Sequence, residues 1–301
     1  MERSFYLQHA AYAGHDTTWG RAFFPERPLL CTPPAYNTRR LDDMSIHAVQ
    51  ATLRALAECG TDPSDFSRYG VLTLSHNGPS IYSEEFYGQL LSEENPQLAS
   101  PMLFTESVLN IAASHIALAL KTHAPILSLN AGIADGAEII RQVAILLHAG
   151  HAERMVLCAA EEFSRIGTEV FQACSTYPGK TFCGGAVSLL FSRDPLPGHP
   201  VQVRLSPVLS PENACHQLTR LAEENTRLLL GSFSDAPEHL ATLPTLEPGP
   251  ARPYMQNEQA FTVLFAAEWA VCARQTLESK QPHALIQVNT DTIQWALFSP
   301  M

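Results

Sequence analysis

The chain has little charge, and what it has is mostly negative. Only 16% of its 301 residues are charged, and 19 Lys and Arg face 30 Asp and Glu, for a net charge of −11. No basic run appears, which argues against nucleic-acid binding, since phosphate contact needs clustered cations. No apolar run reaches the roughly 18–20 residues of a membrane helix. The longest candidate, 261–273, contains Glu268 and is followed by Arg274. The start, "MERSFYLQHAAYAG", lacks an apolar core of signal-peptide length, so export is not expected. The seven cysteines, at 31, 59, 158, 174, 183, 215 and 272, show no CxxC spacing. An odd, dispersed set is expected to be reduced thiols in a cytoplasmic protein. His148 and His151 flank Gly150 without a third ligand nearby, so helix-end solvation is expected there rather than a metal.

What is present is a well-packed globular composition, 46% hydrophobic. Strand and helix signals alternate, which predicts an α/β layered fold. A strand is expected near 4–13 and a Pro-rich loop over 24–36. A helix over 41–59 follows from the spacing of Ile46, Val49, Leu53 and Leu56. A buried strand is expected at 70–74. The stretches 108–120 and 136–149 are apolar nearly all round, as suits helices between sheets. Pro195–Pro200 marks a connection, giving a first half of 1–195 and a second of 196–301 within one compact unit. In the second half, a strand is expected over 201–209, helices over 213–227 and 257–277, and loop over 236–253. No internal repeat is visible in the sequence.

The segment "APILSLNAGIADGAEIIRQVAILLHAGHAERMVLCAAEE" (124–162) resembles the nucleophile segment of the β-ketoacyl synthases, members of the thiolase superfamily. There, a strand after Gly-Pro runs into a Cys at a sharp bend. A helix follows, then a Gly, then a strand ending in small residues and Glu. Ile133 lies eight residues after Pro125 and seventeen before Gly150, the spacing at which that family carries its Cys. Isoleucine has no nucleophilic atom. Asp135 is expected to cap the helix that follows, and Asn130 is the neighbouring candidate three residues away.

The resemblance extends through "RRLDDMSIHAVQATLRALAECGTDPSDFSRYGVLTLSHNGPS", "NPQLASPMLFTESVLNIAASHIALALKTHAP", "PGKTFCGGAVSLLFSR" and, near the end, "ALIQVNTDTIQWALFSP". It implies the thiolase-like α-β-α-β-α fold, here with a shortened second half. Two histidines of the family are missing. The candidate strand end "RLLLGSFSD" has none, and the candidate helix "PYMQNEQAFTVLFAAEWAVCARQ" opens without the family's Gly-His-Thr. The closing Gly-Phe-Gly-Gly hairpin is reduced to Thr290-Asp291-Thr292. Because such residues act as a unit, their joint loss implies no condensation chemistry in this chain.

The chain therefore resembles the chain length factors, and most of all the half-sized ketosynthase-like partners of aryl polyene biosynthesis. The resemblance implies a heterodimer with a full-length catalytic ketosynthase. An acyl carrier protein would be met indirectly, its phosphopantetheine arm delivered to that partner. It places Leu103, Phe104, Ser107, Val108 and Ile111 at a gate in the partner's acyl tunnel. It places Ile126, Leu127, Ser128, Leu129 and His115 at the dimer interface. Each gate residue has an ordinary alternative in the chain's own core, and His115, in an apolar helix, suits a core or interface role. A different reading is an acyltransferase or thioesterase with a relocated thiol, Cys183 or Cys174. No metal or redox cofactor is implied.

Overall fold

The computed structural model describes residues 4–25, 41–59, 63–92, 96–130, 136–174, 179–198, 200–231, 240, 243, 245–289 and 292–301. Ile133, Asp135, Thr290, Asp291, Cys31 and most of the Pro-rich loop lie outside the described residues.

Twelve strands are described: β1 (Phe5–Gly14), β2 (Tyr69–Ser75), β3 (Ile126–Asn130), β4 (Arg154–Glu161), β5 (Thr181–Phe182), β6 (Gly185–Ser192), β7 (Val201–Leu205), β8 (Arg227–Leu230), β9 (Leu246–Pro248), β10 (Glu258–Gln259), β11 (His283–Asn289) and β12 (Thr292–Ser299). The helices are α1 (Thr18–Phe23), α2 (Asp43–Glu58), α3 (Ser80–Leu90), α4 (Pro101–Glu106), α5 (Ile111–Leu120), α6 (Gly136–His148), α7 (Arg165–Ala173), α8 (Pro211–Glu223) and α9 (Phe261–Ser279).

Ten strands form one sheet in the order β3-β2-β4-β6-β1-β7-β12-β11-β8-β9. Counted outward from the central β1–β7 pair, the two sides have the same order of strands and the same sequence of senses. β1–β6–β4 and β7–β12–β11 are antiparallel, whereas β4–β2–β3 and β11–β8–β9 are parallel. The repeat that the sequence hides is explicit in the topology. Side-chain identity drifts freely so long as burial alternates correctly, whereas a strand order cannot change piecemeal.

The buried apolar residues form three cores. The central core holds α6 and α9 between the two sides of the sheet and takes residues from both. An outer core packs α2 and α5 on the first side, and another packs α8 on the second. The central position explains why α9 is apolar on every face: thirteen of its nineteen residues are buried. β2 and β4 are likewise covered on both faces, which explains their unbroken apolar runs.

Most expected elements are present with shifted ends. The helix expected over 108–120 starts at Ile111, because 101–106 forms its own short helix behind Pro101. The strand expected to 209 ends at Leu205, and the helix expected over 213–227 stops at Glu223 so that Arg227–Leu230 can pair with β11. α9 starts at Phe261, four residues later than expected. α3 and α7 were not expected. Neither buries a residue fully; α7 is amphipathic, but it leaves Ile166 and Val170 exposed.

Candidate functional site

The carboxyl ends of the parallel strands β2, β3 and β4 meet the first turn of α9. Open α/β sheets bind their ligands at such strand ends. β3 hands over at Asn130, whose side-chain amide donates to the His76 carbonyl (3.3 Å). α6 resumes at Gly136, pressed against the Phe265 ring where no side chain would fit. The residues on either side of the 131–135 segment, which contains Ile133, are thus fixed.

Glu161 and Glu162 close β4. Successive side chains on a strand point to opposite faces, so the pair reaches into two different layers. Glu161 points to the central layer and is fully buried. Its Oε1 accepts from the His76 N–H (2.7 Å) and the Thr262 hydroxyl (2.6 Å). Its Oε2 accepts from the Asn77 N–H (3.1 Å) and the Ser75 hydroxyl (3.2 Å). Burial pushes its carboxyl up to about 7, against these four hydrogen bonds, which favour the ionised form. Glu162 points to the outer layer and accepts from the N–H groups of Ile81 (2.7 Å) and Met44 (3.2 Å), at the starts of α3 and α2. Burial, with lesser repulsion from Asp42 and Asp43, pushes it up to about 8.

Beside Glu161 lies a cluster of rings. Phe163, Phe171, Phe182 and Phe261 are in mutual contact, all six pairs of centroids being 5.2–6.3 Å apart. His76 joins them, 4.6 Å from Phe261, with its Nδ1 buried and unpaired. Phe261 is fully buried and has φ +34°, a region that bulky L-residues rarely occupy. The Gln259 side-chain oxygen holds that turn by accepting from the Ala260 and Phe261 N–H groups, both at 3.1 Å. Chemically this is an apolar plug with one histidine on its rim.

The residues expected at the gate divide. Leu103, Ser107 and Val108 are half-buried, and Val108 packs on the outer core. Phe104 is 53% exposed, with its ring 5.4 Å from Phe86. Ile111, at 9% exposure, packs in the chain's own outer core. His115 is buried, with Nε2 3.0 Å from the Glu106 carboxylate.

In β3, Ile126 and Leu127 are exposed (47% and 38%), while Ser128 hydrogen-bonds Thr73 (2.9 Å) and Leu129 packs on the central core. Among the described residues no strand pairs with the outer edge of β3. Cys183 is half-buried, and burial, with Glu258 nearby, pushes its thiol up to about 11. Cys174 is exposed at the end of α7. Among the described residues no cluster of His, Cys, Asp and Glu is arranged to hold a metal ion, and no helix is long and apolar enough to cross a membrane.

The sequence reading missed the Glu161–Glu162 hub and the ring cluster. Two acidic residues ending the buried run "MVLCAA" were a usable signal, because charge there must be matched by buried donors. Four phenylalanines spread over a hundred residues carried none.

The family profile for the β-ketoacyl synthase N-terminal domain matches residues 26–183, and the chain belongs to this family. No curated protein matches the sequence. Among solved structures it is similar to the ishigamide ketosynthase/chain length factor, at 15% identity and a TM-score of 0.68, with 99% of each chain covered. It is similar, at 16% identity, a TM-score of 0.73 and full coverage of both chains, to a chain of AntDE:AntF. That structure is a type II polyketide synthase acyl-carrier protein in complex with its ketosynthase bound to the hexaketide. A β-ketoacyl synthase from Burkholderia phymatum STM815 matches at 14% identity and a TM-score of 0.67, again over both whole chains. At these identities the likeness is one of fold, the thiolase-like fold of the ketosynthases.

Proposed function

We propose that this chain is a non-catalytic, chain-length-factor-like subunit that pairs with an active, full-length ketosynthase and shapes its acyl tunnel. The observation that carries the reading is the plug. The family resemblance calls for a histidine at a Gly-His-Thr-like start of the second central helix. α9 instead begins Ala260-Phe261-Thr262, and Phe261 fills the space with three further phenylalanines. Ile133 at the nucleophile position removes the other half of the chemistry. The half-buried Cys183 thiol, raised to about 11, gives almost no thiolate at neutral pH, which weighs against Cys183 as a relocated nucleophile.

The exposed apolar edge at β3, with the exposed residues of α4, supplies the docking face for the ketosynthase. The net charge of −11 makes this chain a poor landing surface for an acidic carrier protein, so the phosphopantetheine arm is delivered to the partner. An aryl polyene pathway in the cytoplasm is the setting that the half-sized chain best fits.

The test uses the purified chain with acyl- and malonyl-carrier substrates and intact-protein mass measurement. No acyl adduct and no condensation are expected. Ile133→Cys is expected to remain inactive, since Phe261 still occupies the histidine position. Condensation by the unmodified chain alone would overturn the reading.

A further inference from the structure

α4 has six residues and buries none of them fully, so a few polar contacts decide where it sits. At its start the Ser100 N–H donates to the Gln89 side-chain oxygen of α3 (2.8 Å). At its end the Ser83 hydroxyl of α3 lies 3.2 Å from the Ser107 carbonyl. Its tie to α5 is titratable. The Glu106 carboxylate lies 3.0 Å from Nε2 of His115, and both side chains are nearly buried.

Glu106 has acidic company. Asp42, the cap of α2, is fully buried; its Oδ1 accepts from the Ser45 N–H (2.8 Å), while its Oδ2 is buried without a partner. Burial holds the Asp42 carboxyl above its ordinary value, and the charge of Glu106 adds to the effect. Glu162 in turn feels the charges of Asp42 and Asp43. Tyr82 on α3 is pushed up by burial, and further by Glu85, Asp42, Glu106 and Glu162. The groups that meet here are thus Asp42 and Asp43 from α2, Tyr82 and Glu85 from α3, Glu106 from α4, His115 from α5 and Glu162 from β4. Of these, His115 alone is a base.

We propose that Glu106 and His115 form a proton-dependent latch that seats α4 on α5, closed while the acidic groups around it hold protons and loosened as they give them up. With the imidazole protonated, an ion pair joins α4 to α5 in a nearly dry setting, where it is stronger than at a surface. An imidazole ordinarily loses its proton near pH 6.5, which leaves a neutral donor in place of a cation. Glu162 ionises near 8, beside Asp42, which neighbours Glu106. Each loss makes the cluster one unit more negative, and like charges repel most where water is excluded. The least firmly held carboxylate yields first. Asp42 caps α2 and Glu162 bonds two helix starts, whereas Glu106 rides on α4.

The latch stands without the subunit reading. On that reading α4 carries part of the docking face, so assembly with the ketosynthase is favoured on the acid side of the transition.

Hydrogen exchange of the isolated chain between about pH 6 and 8.5, corrected for the intrinsic exchange rate at each pH, tests the latch. Protection over 101–107 should fall by about tenfold or more across that range, while protection over α8, in the other outer core, stays level. Glu106→Gln keeps a hydrogen-bond acceptor for His115 but removes the charge, and should flatten the fall. A merely structural contact would lose the same protection at every pH. Protection over 101–107 that ignores pH in the unmodified chain overturns the latch, and so does a full fall in Glu106→Gln. If the latch opens as expected, yet assembly depends on pH equally in Glu106→Gln and the unmodified chain, α4 leaves the docking face and the latch stands.

Discussion

β3 closes one end of the ten-stranded sheet and β9 the other, and the two hold the same place in the repeated strand order. They are finished differently. β9 has three residues, one of them Pro248, and its Glu247 is clasped by both arms of Arg227 at 3.2 and 2.5 Å. A short strand with a proline and a fixed charge is how proteins blunt an edge. β3 has five residues, no proline, and Ile126 and Leu127 in the open. A long apolar edge with free N–H and C=O groups is a template for another strand. One duplicated half has been closed and the other left open. The open half is also the one that carries the glutamate hub and the exposed gate helix. On the subunit reading proposed above, the docking edge and the residues around the Ile133 position belong to the same half.

Charging the two edges should break this symmetry most. Leu127→Lys is expected to weaken assembly with the ketosynthase by at least about a thousandfold, since it buries an unpaired charge in an apolar interface. Glu247→Lys should leave assembly intact. Both variants should fold, because both sites are surface edges. Gel filtration of co-expressed pairs measures this, and equal loss in both variants would remove β3 as the docking edge.

Ile111 and the half-exposed residues around it sharpen the same contrast. Ile111→Ala should cost the isolated chain about 2–4 kcal/mol by emptying a core site. Urea unfolding of the isolated chain measures it. A cost below about 1 kcal/mol would return Ile111 to the interface.

The glutamate hub gives the first half its own pH dependence. Glu162 holds its proton up to about 8 when folded and loses it near 4.5 when unfolded. The folded state binds more protons between those values, so stability falls as pH rises from about 4.5 to about 8. Glu161 acts in the same direction up to about 7. The buried imidazoles run the other way: burial lowers His47 to about 4 and also lowers His283, so their contribution is lost as pH falls below about 6.5. Glu162→Gln isolates the first effect. Relative to the unmodified chain it should gain up to about 5 kcal/mol between pH 4.5 and 8. Thermal unfolding across that range is the measurement, and a pH-independent difference would mean that Glu162 is ionised throughout.

The layered fold was legible in the sequence because it rests on long apolar runs: 70–74, 136–148, 154–160 and 261–273 all fell within elements. The repeated topology was not, since strand pairing joins residues such as Phe5 and Val203 that no local pattern connects. The gate segment was located from family spacing, but spacing does not tell which face of a helix turns inward. Phe104 and Ile111 are seven residues apart, and a break at Ser107 separates their helices, so one points out and the other in. Likewise, His115 sits in an apolar helix facing a carboxylate nine residues away, a contact that depends on how α4 folds back on α5.

Phe104 is the smallest change to the protein and the most specific test of what the open half does. Its ring is half in solvent and touches Phe86 alone among the described aromatic rings, so Phe104→Ala should alter the stability of the isolated chain by less than about 1 kcal/mol. In the complex the same change opens room comparable to several methylenes. A growing chain extends by two carbons per cycle and must fit the tunnel or stop. An overlong chain would have to deform a close-packed wall at a cost of roughly 1–3 kcal/mol. That is about a tenfold or larger rate penalty per additional cycle, enough to set where extension ends. Phe104→Ala should therefore shift carrier-bound products to greater length while leaving the first condensation near its original rate, and Ser107→Phe should shift them to shorter length. Mass analysis of the carrier-bound products decides it. A slowed first condensation with unchanged lengths would assign Phe104 to assembly rather than to the tunnel wall, and would confine the role of the open half to holding its partner.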